Sequence, residues 1–310
     1  MREPMLTNDE TGRSVDDVLL PMLWLYDLPT WLFGLLTVLV FVIPALIGLG
    51  FVHRRIHRSE LALLLDNGTV GWFFSSVTVL YGLTLGLITV ATWSNFSQAS
   101  AIASNESATI TVLYRDLSGY KQPEQQQLRQ QLRAYTAYII DKSWPLQRQG
   151  RISDGEAGLL TNFQDKLLNT EPEPTGQEII HTEAVRAFNN MVELRRQRIE
   201  SVRGSVPGVL WSVVLIGAII TLVSSYYFSL KNFWVHARMT GLLAGMIGLL
   251  VFLLAALDHP YWGDVSVTPE SYELVLKNVM GNQPSSSVIA PPDPGSINPG
   301  ATLNGGGSVK

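Results

Sequence analysis

The 310-residue chain contains no cysteine, and only 15% of its residues are charged, against about a quarter in an ordinary soluble domain. The first absence excludes disulfides, thiolate metal sites and cysteine nucleophiles, and leaves the compartment open. The second is uneven. Residues 31–52, 69–94, 206–230 and 239–257 hold no Asp, Glu, Lys or Arg, so all 22 basic and 26 acidic side chains lie outside these four windows. A single water-soluble core is therefore excluded.

Each window is long enough to cross a hydrocarbon core, which takes about 20 apolar helical residues. Trp31, Trp72, Trp93, Trp211, Tyr226, Tyr227 and Trp234 lie at or near the window ends, where amphipathic rings prefer the headgroup layer. The fold class predicted is an all-α integral membrane protein. It has four transmembrane helices and a helical extramembrane region between the second and third. Residues 1–30 are polar and acidic and Met1 to Glu10 lacks a basic region, so the first span is expected to be a retained helix rather than a signal peptide.

The organisation expected is an acidic interfacial segment at 1–30, helices one and two at 31–93, a helical stalk and extramembrane region at 94–205, helices three and four at 206–257, a post-membrane turn at 258–280 and a disordered tail at 281–310. Pro44 lies inside the first span, which ends in the basic collar His53, Arg54, Arg55, His57 and Arg58. Asn67 and Gly68 turn the chain back into the second span. That helix has no clear breaker before Leu117. Leu128, Leu132, Tyr135 and Ile139 recur at helical spacing. Ser153 with Glu156, and Thr175 with Glu178, have the spacing of capping boxes that open further helices. Lys231, His236 and Arg238 are assigned to the link between the third and fourth spans. In the tail, Gly, Pro, Ser and Asn make up 19 of 30 residues, too polar to bury a core.

What the spans lack limits the chemistry. A pump needs an ionisable group at mid-membrane to bind its coupling ion, and none of the four windows carries an acid, a lysine or an arginine. No nucleophile motif or phosphate loop is present, so an enzyme is not expected, and neither is a cofactor. His53 and His57 share a helix face, but Arg54, Arg55 and Arg58 beside them would repel a cation, so no metal site is expected. Charged pairs in the polar region read as generic helix-surface charges. A net charge of −4 argues against a nucleic-acid partner.

Passive conduction needs no such group, because hydroxyls, carbonyls and apolar constrictions suffice. On the second span Ser75, Thr78, Gly82, Gly86 and Thr89 form one stripe, and Ser76, Leu80 and Thr84 form another almost opposite. The glycines are spaced for close helix packing, a device that Gly241, Gly245 and Gly248 repeat on the fourth span. Periodicity leaves open whether the second stripe faces water or protein.

Four stretches carry a resemblance. They are VLYGLTLGLITVATWSNF at 79–96, the Ser143, Trp144, Pro145 step, LRRQRIESVRGSVPGVLW at 194–211, and LDHPYWGDVSVTP at 257–269. Together they resemble the bestrophin-like integral membrane family, over roughly residues 25–280, and more distantly the bestrophins, which are pentameric anion channels whose second helix lines the pore. The resemblance implies a homo-oligomer, a pentamer in the channels' manner, embedded in a lipid bilayer and passing an anion such as chloride. In the register set by Trp93 and Asn95, the channels' hydrophobic neck falls on Ser76, Leu80 and Thr84, of which only Leu80 is apolar. Pro260, Gly263 and Asp264, with Trp262 between, resemble the start of the channels' calcium clasp. Here Val265, Ser266 and Val267 replace its acids, and calcium takes six to eight oxygen ligands. A structural turn without calcium gating is expected there.

Five basic residues near the short links face four near the other ends, a count that leans toward cytoplasmic short links. Bestrophin topology implies the reverse, with termini and helical region in the cytoplasm of a bacterial inner membrane, and that orientation is adopted. The alternative function is a non-conducting membrane scaffold whose helical region binds a protein partner.

Overall fold

The computed structural model describes residues 28–56, 66–172, 176–230 and 232–281. The N-terminal segment, His57, Arg58, Thr175, Lys231 and nearly all of the tail lie outside these. Every regular element among the described residues is helical. Helix α1 is Thr30–Ile56 and α2 is Asn67–Asp116. The extramembrane helices are α3 at Glu124–Tyr138, α4 at Trp144–Gln147, α5 at Gly155–Leu168 and α6 at Gln177–Arg203. Helices α7 at Gly208–Ser225 and α8 at Phe233–Asp258 re-enter the apolar layer, and a short α9 at Glu270–Leu274 follows. Four helical segments are long and apolar enough to cross a membrane.

Short-range chemistry sets the helix starts. The Asp66 carboxylate accepts from the N–H groups of Gly68 and Thr69 at the head of α2, two of the four donors a helix start leaves unpaired. Asn232 does the same for α8 through Trp234 and Val235. The expected cap at Ser153 and Glu156 is not formed. Ser153 instead hydrogen-bonds Tyr138 (2.8 Å), and Glu156 is buried against arginines, a stronger partnership than a capping box offers.

At the short-link end Asn67 and Ser229 exchange two hydrogen bonds (3.0 and 2.8 Å). At the other end the Asp258 carboxylate accepts from Val206 N–H (2.5 Å) and Trp211 Nε1 (3.3 Å), which ties the end of α8 to the start of α7. Helices α1 and α8 run antiparallel in close contact. A Cβ on Gly248 would stand 2.9 Å from Val38 Cα, and those on Gly245 and Gly241 would meet Val42 and Leu46 at 3.9 Å. The small residues let the backbones approach, as the spacing predicts.

The fourth span starts earlier than its charge-free window. His236 lies in the first turns of α8 and is buried, not in the link, with Nε2 2.9 Å from the Ser225 carbonyl. Its Nδ1, Thr240 Oγ1 one turn on, and Thr78 Oγ1 and Tyr81 Oη on α2 are buried without a partner. The bundle, from its short-link end to the middle where Tyr81 lies over Gly217, is thus more polar inside than the sequence windows imply.

Candidate permeation helix and its buried support

Fifty residues at 1.5 Å each make α2 about 75 Å long, so it crosses the apolar layer and continues into the extramembrane region. Its own chain covers one stripe: Leu85, Ile88 and Thr92 in the bundle, then Ala99, Ala103, Glu106, Ile110 and Leu113 along the stalk. Ser76, Leu80 and Thr84 lie off that stripe and are exposed, Leu80 at 67%. The hydroxyls of Ser76 and Thr84 bond back to Trp72 and Leu80 carbonyls (3.0 and 2.9 Å). The face they offer is therefore less polar than their names suggest. Leu83 and Leu87, which the sequence register does not include, share this open face at 61% and 64% exposure.

Of the predicted packing stripe, Ser75, Gly82 and Gly86 are exposed, and a Cβ on either glycine would meet nothing within 4 Å. Thr78 and Thr89 are half-buried. The close intrachain approach to α2 comes from α7, where Tyr81 lies over Gly217 with no room for a Cβ. Any packing at Gly82 and Gly86 is thus left to another molecule.

The stalk is held by a charge cluster that reading the charges as surface groups missed. Glu106, on α2, and Arg198, on α6, are fully buried and paired at 2.7 Å through Nε. Arg198 Nη2 also donates to Glu156 on α5 (3.0 Å), and Arg195 Nε donates to the same carboxylate (2.8 Å). The phenols of Tyr135 on α3 and Tyr272 on α9 each donate to Glu106 at 3.0 Å. Two carboxylates meet two guanidiniums, and five helices converge. Burial, and then the adjacent Glu106 carboxylate, push both phenols well above their ordinary range and keep them protonated donors. Burial disfavours the Glu156 carboxylate, but Arg198, Ser143 and Arg195 outweigh it and hold its pKa below the ordinary 4.5.

A register signal for this cluster exists in the sequence. Ala99, Ala103, Glu106, Ile110 and Leu113 step by four and three, as do Ala184, Phe188, Met191, Arg195, Arg198 and Val202, so the charges sit in the phase of a buried seam. What the spacing does not carry is that residues 92 apart are partners.

Pro260, Gly263 and Asp264 are brought together in one turn. Gly263 has φ 72°, a left-handed conformation that glycine takes without cost. Pro260 is buried and its carbonyl accepts from Val267 N–H (2.8 Å). The Asp264 carboxylate accepts from Thr30 N–H and Oγ1 (3.2 and 3.3 Å), fastening the head of α1. Among the described residues no three His, Asp or Glu side chains form a group able to hold a metal ion.

The pattern of the Bestrophin-like domain matches residues 39–272. The chain belongs to the bestrophin-like family. No curated protein matches it. A variant of a bacterial bestrophin homologue from Klebsiella pneumoniae superposes with a TM-score of 0.60 at 14% identity, over 81% of this chain and 99% of that one. A second crystal structure of the Klebsiella homologue gives 0.57 at 15%, over 82% and 99%. A membrane protein variant gives 0.59 at 14%, over 83% and 100%. At such identities the likeness is one of fold. With its four apolar helices, this bestrophin-like chain is a multi-pass integral membrane protein.

Proposed function

We propose that this bestrophin-like protein is a homo-oligomeric, passive ion channel whose α2 helices surround the path. The observation that carries the reading is the division of α2. One stripe is packed by its own chain, while Ser76, Leu80, Leu83, Thr84 and Leu87 are left uncovered on a helix with no charge in its membrane stretch. Copies arranged around those faces would make an apolar constriction bounded by hydroxyls, a form of gate that works by dewetting. Family membership supports a pentamer and a permeant anion. The clasp between Asp264 and Thr30, made by direct hydrogen bonds, supports a turn that holds α1 without calcium.

Reconstitution tests this. Purified protein in liposomes is expected to pass chloride in the absence of calcium, with a pentamer by mass. A monomer or dimer with no chloride or potassium flux would sink the channel and favour the scaffold. That second reading draws on Ile179 and Leu168, large apolar side chains on the extramembrane helices that are 71% and 56% exposed.

A further inference from the structure

Where α1 and α8 run side by side at the end nearer the extramembrane region, a trough of about 770 Å³ opens on the surface of the bundle. Trp31, Leu35 and Val38 wall it on one side, Leu249 and Phe252 on the other. Gly34 lies between them, and a Cβ there would stand 3.4 Å from the Phe252 ring. The absence of a side chain at that position is what leaves the trough open. From Thr30 to Val38 it follows α1 for about 12 Å, close to the roughly 15 Å of hydrocarbon in one leaflet.

The mouth is polar and acidic, with a basic side chain just outside the lining. Asp264 lines it, and both Thr30 donors go to Oδ2, so Oδ1 keeps its acceptor capacity. One residue away in the same turn, the Gly263 carbonyl holds the exposed Arg148 guanidinium through Nη2 (3.2 Å). A carboxylate beside a guanidinium at headgroup depth, above an apolar trough, complements a zwitterionic amphiphile. An anionic headgroup would meet the Asp264 carboxylate. A quaternary ammonium has no N–H to donate. A primary ammonium both neutralises Asp264 and donates to it.

We propose that this trough is a binding site for one phospholipid with a primary-ammonium zwitterionic headgroup, phosphatidylethanolamine in chemical class. The ammonium sits on Asp264, the phosphate toward Arg148, and an acyl chain lies between α1 and α8. The site rests on the membrane-spanning fold alone and is independent of conduction.

The test is native mass spectrometry of the full-length protein, purified and exchanged into equimolar phosphatidylethanolamine, phosphatidylcholine and phosphatidylglycerol. One phosphatidylethanolamine per chain is expected, preferred by about fivefold, the scale of a partly exposed charge pair. Leu249→Trp fills the trough from a position that is already exposed, and should lose the lipid. Asp264→Asn should keep a lipid but lose the preference over phosphatidylcholine. Equal retention of all three lipids, a preference for phosphatidylglycerol, or unchanged retention in Leu249→Trp would each overturn the site. The cysteine-free background allows one more readout. A disulfide between copies through Leu35→Cys, with no lipid retained, would assign the trough to a second copy instead.

Discussion

At Leu80 two-thirds of the side chain is left uncovered by its own molecule, and the hydroxyls four residues away on either side are occupied by helix carbonyls. If copies of α2 meet around a path, the narrowest apolar contact then belongs to Leu80 and its neighbours Leu83 and Leu87. Leu80→Ala should widen and wet that point, raising unitary conductance in planar bilayers while leaving oligomer mass unchanged. An unaltered conductance would place the path elsewhere. Glu106 sets a different kind of limit. Its carboxylate is fully buried and takes bonds from Arg198, Tyr135 and Tyr272. Glu106→Leu would leave Arg198 and Arg195 sharing the single Glu156 carboxylate, one positive charge uncompensated in the domain interior, a loss of about 3–5 kcal/mol. Glu106→Leu combined with Arg198→Met should cost less than Glu106→Leu alone, because the stranded charge goes too. Thermal unfolding of the three proteins in detergent checks the order. If the double variant is the least stable, the cluster does more than compensate its own burial.

Among the elements, the contact between α1 and α8 is where glycine spacing can be tested against packing. Gly248→Leu forces a side chain into the Val38 backbone and should cost about 1–3 kcal/mol by overpacking. Gly86→Leu enters open space within one chain. It should leave subunit stability nearly unchanged and alter the oligomer mass if α2 faces meet between copies. Equal destabilisation by the two changes would contradict this division. These elements also show what can be read from a sequence. The four spans were legible because a charge in hydrocarbon is costly enough to be absent, and that absence shows without any partner being known. The Gly241, Gly245 and Gly248 face was legible because three residues without bulk on one helix face have few other uses. Helix α2 running past the bilayer was visible as a pattern with no breaker before Leu117. The Glu106 and Arg198 pair was not, since a charge in a buried register looks like a surface charge until its partner on another helix is known. His236 was hidden for a related reason. Its burial depends on the Ser225 carbonyl waiting on α7, and no local pattern reports that.

For the whole molecule, α2 runs through both the membrane bundle and the extramembrane helices, and the buried charge cluster around Glu106 holds its far half. Acid should therefore loosen the extramembrane half first. The Glu156 pKa is depressed below 4.5 on folding, so its contribution to stability is fully present above pH 4.5 and is lost as pH falls through the lower folded value. Circular dichroism in detergent should show a midpoint falling below pH 4.5, and Glu156→Gln, already weakened at neutral pH, should show less of that dependence. Orientation is the remaining property of the whole. Basic residues near the span ends are almost evenly divided, so the charge rule exerts little force either way, and we propose, as the resemblance to bestrophins implies, that the extramembrane half is cytoplasmic. The segment after α4 gives a direct readout, since Arg151 is exposed in an irregular stretch, the kind of site proteases reach without global unfolding. In sealed inside-out vesicles trypsin should cut within residues 149–155, and right-side-out vesicles should protect it. Protection in the inside-out preparation, with cutting restored by detergent, would reverse the topology and place the α2 stalk outside the cell.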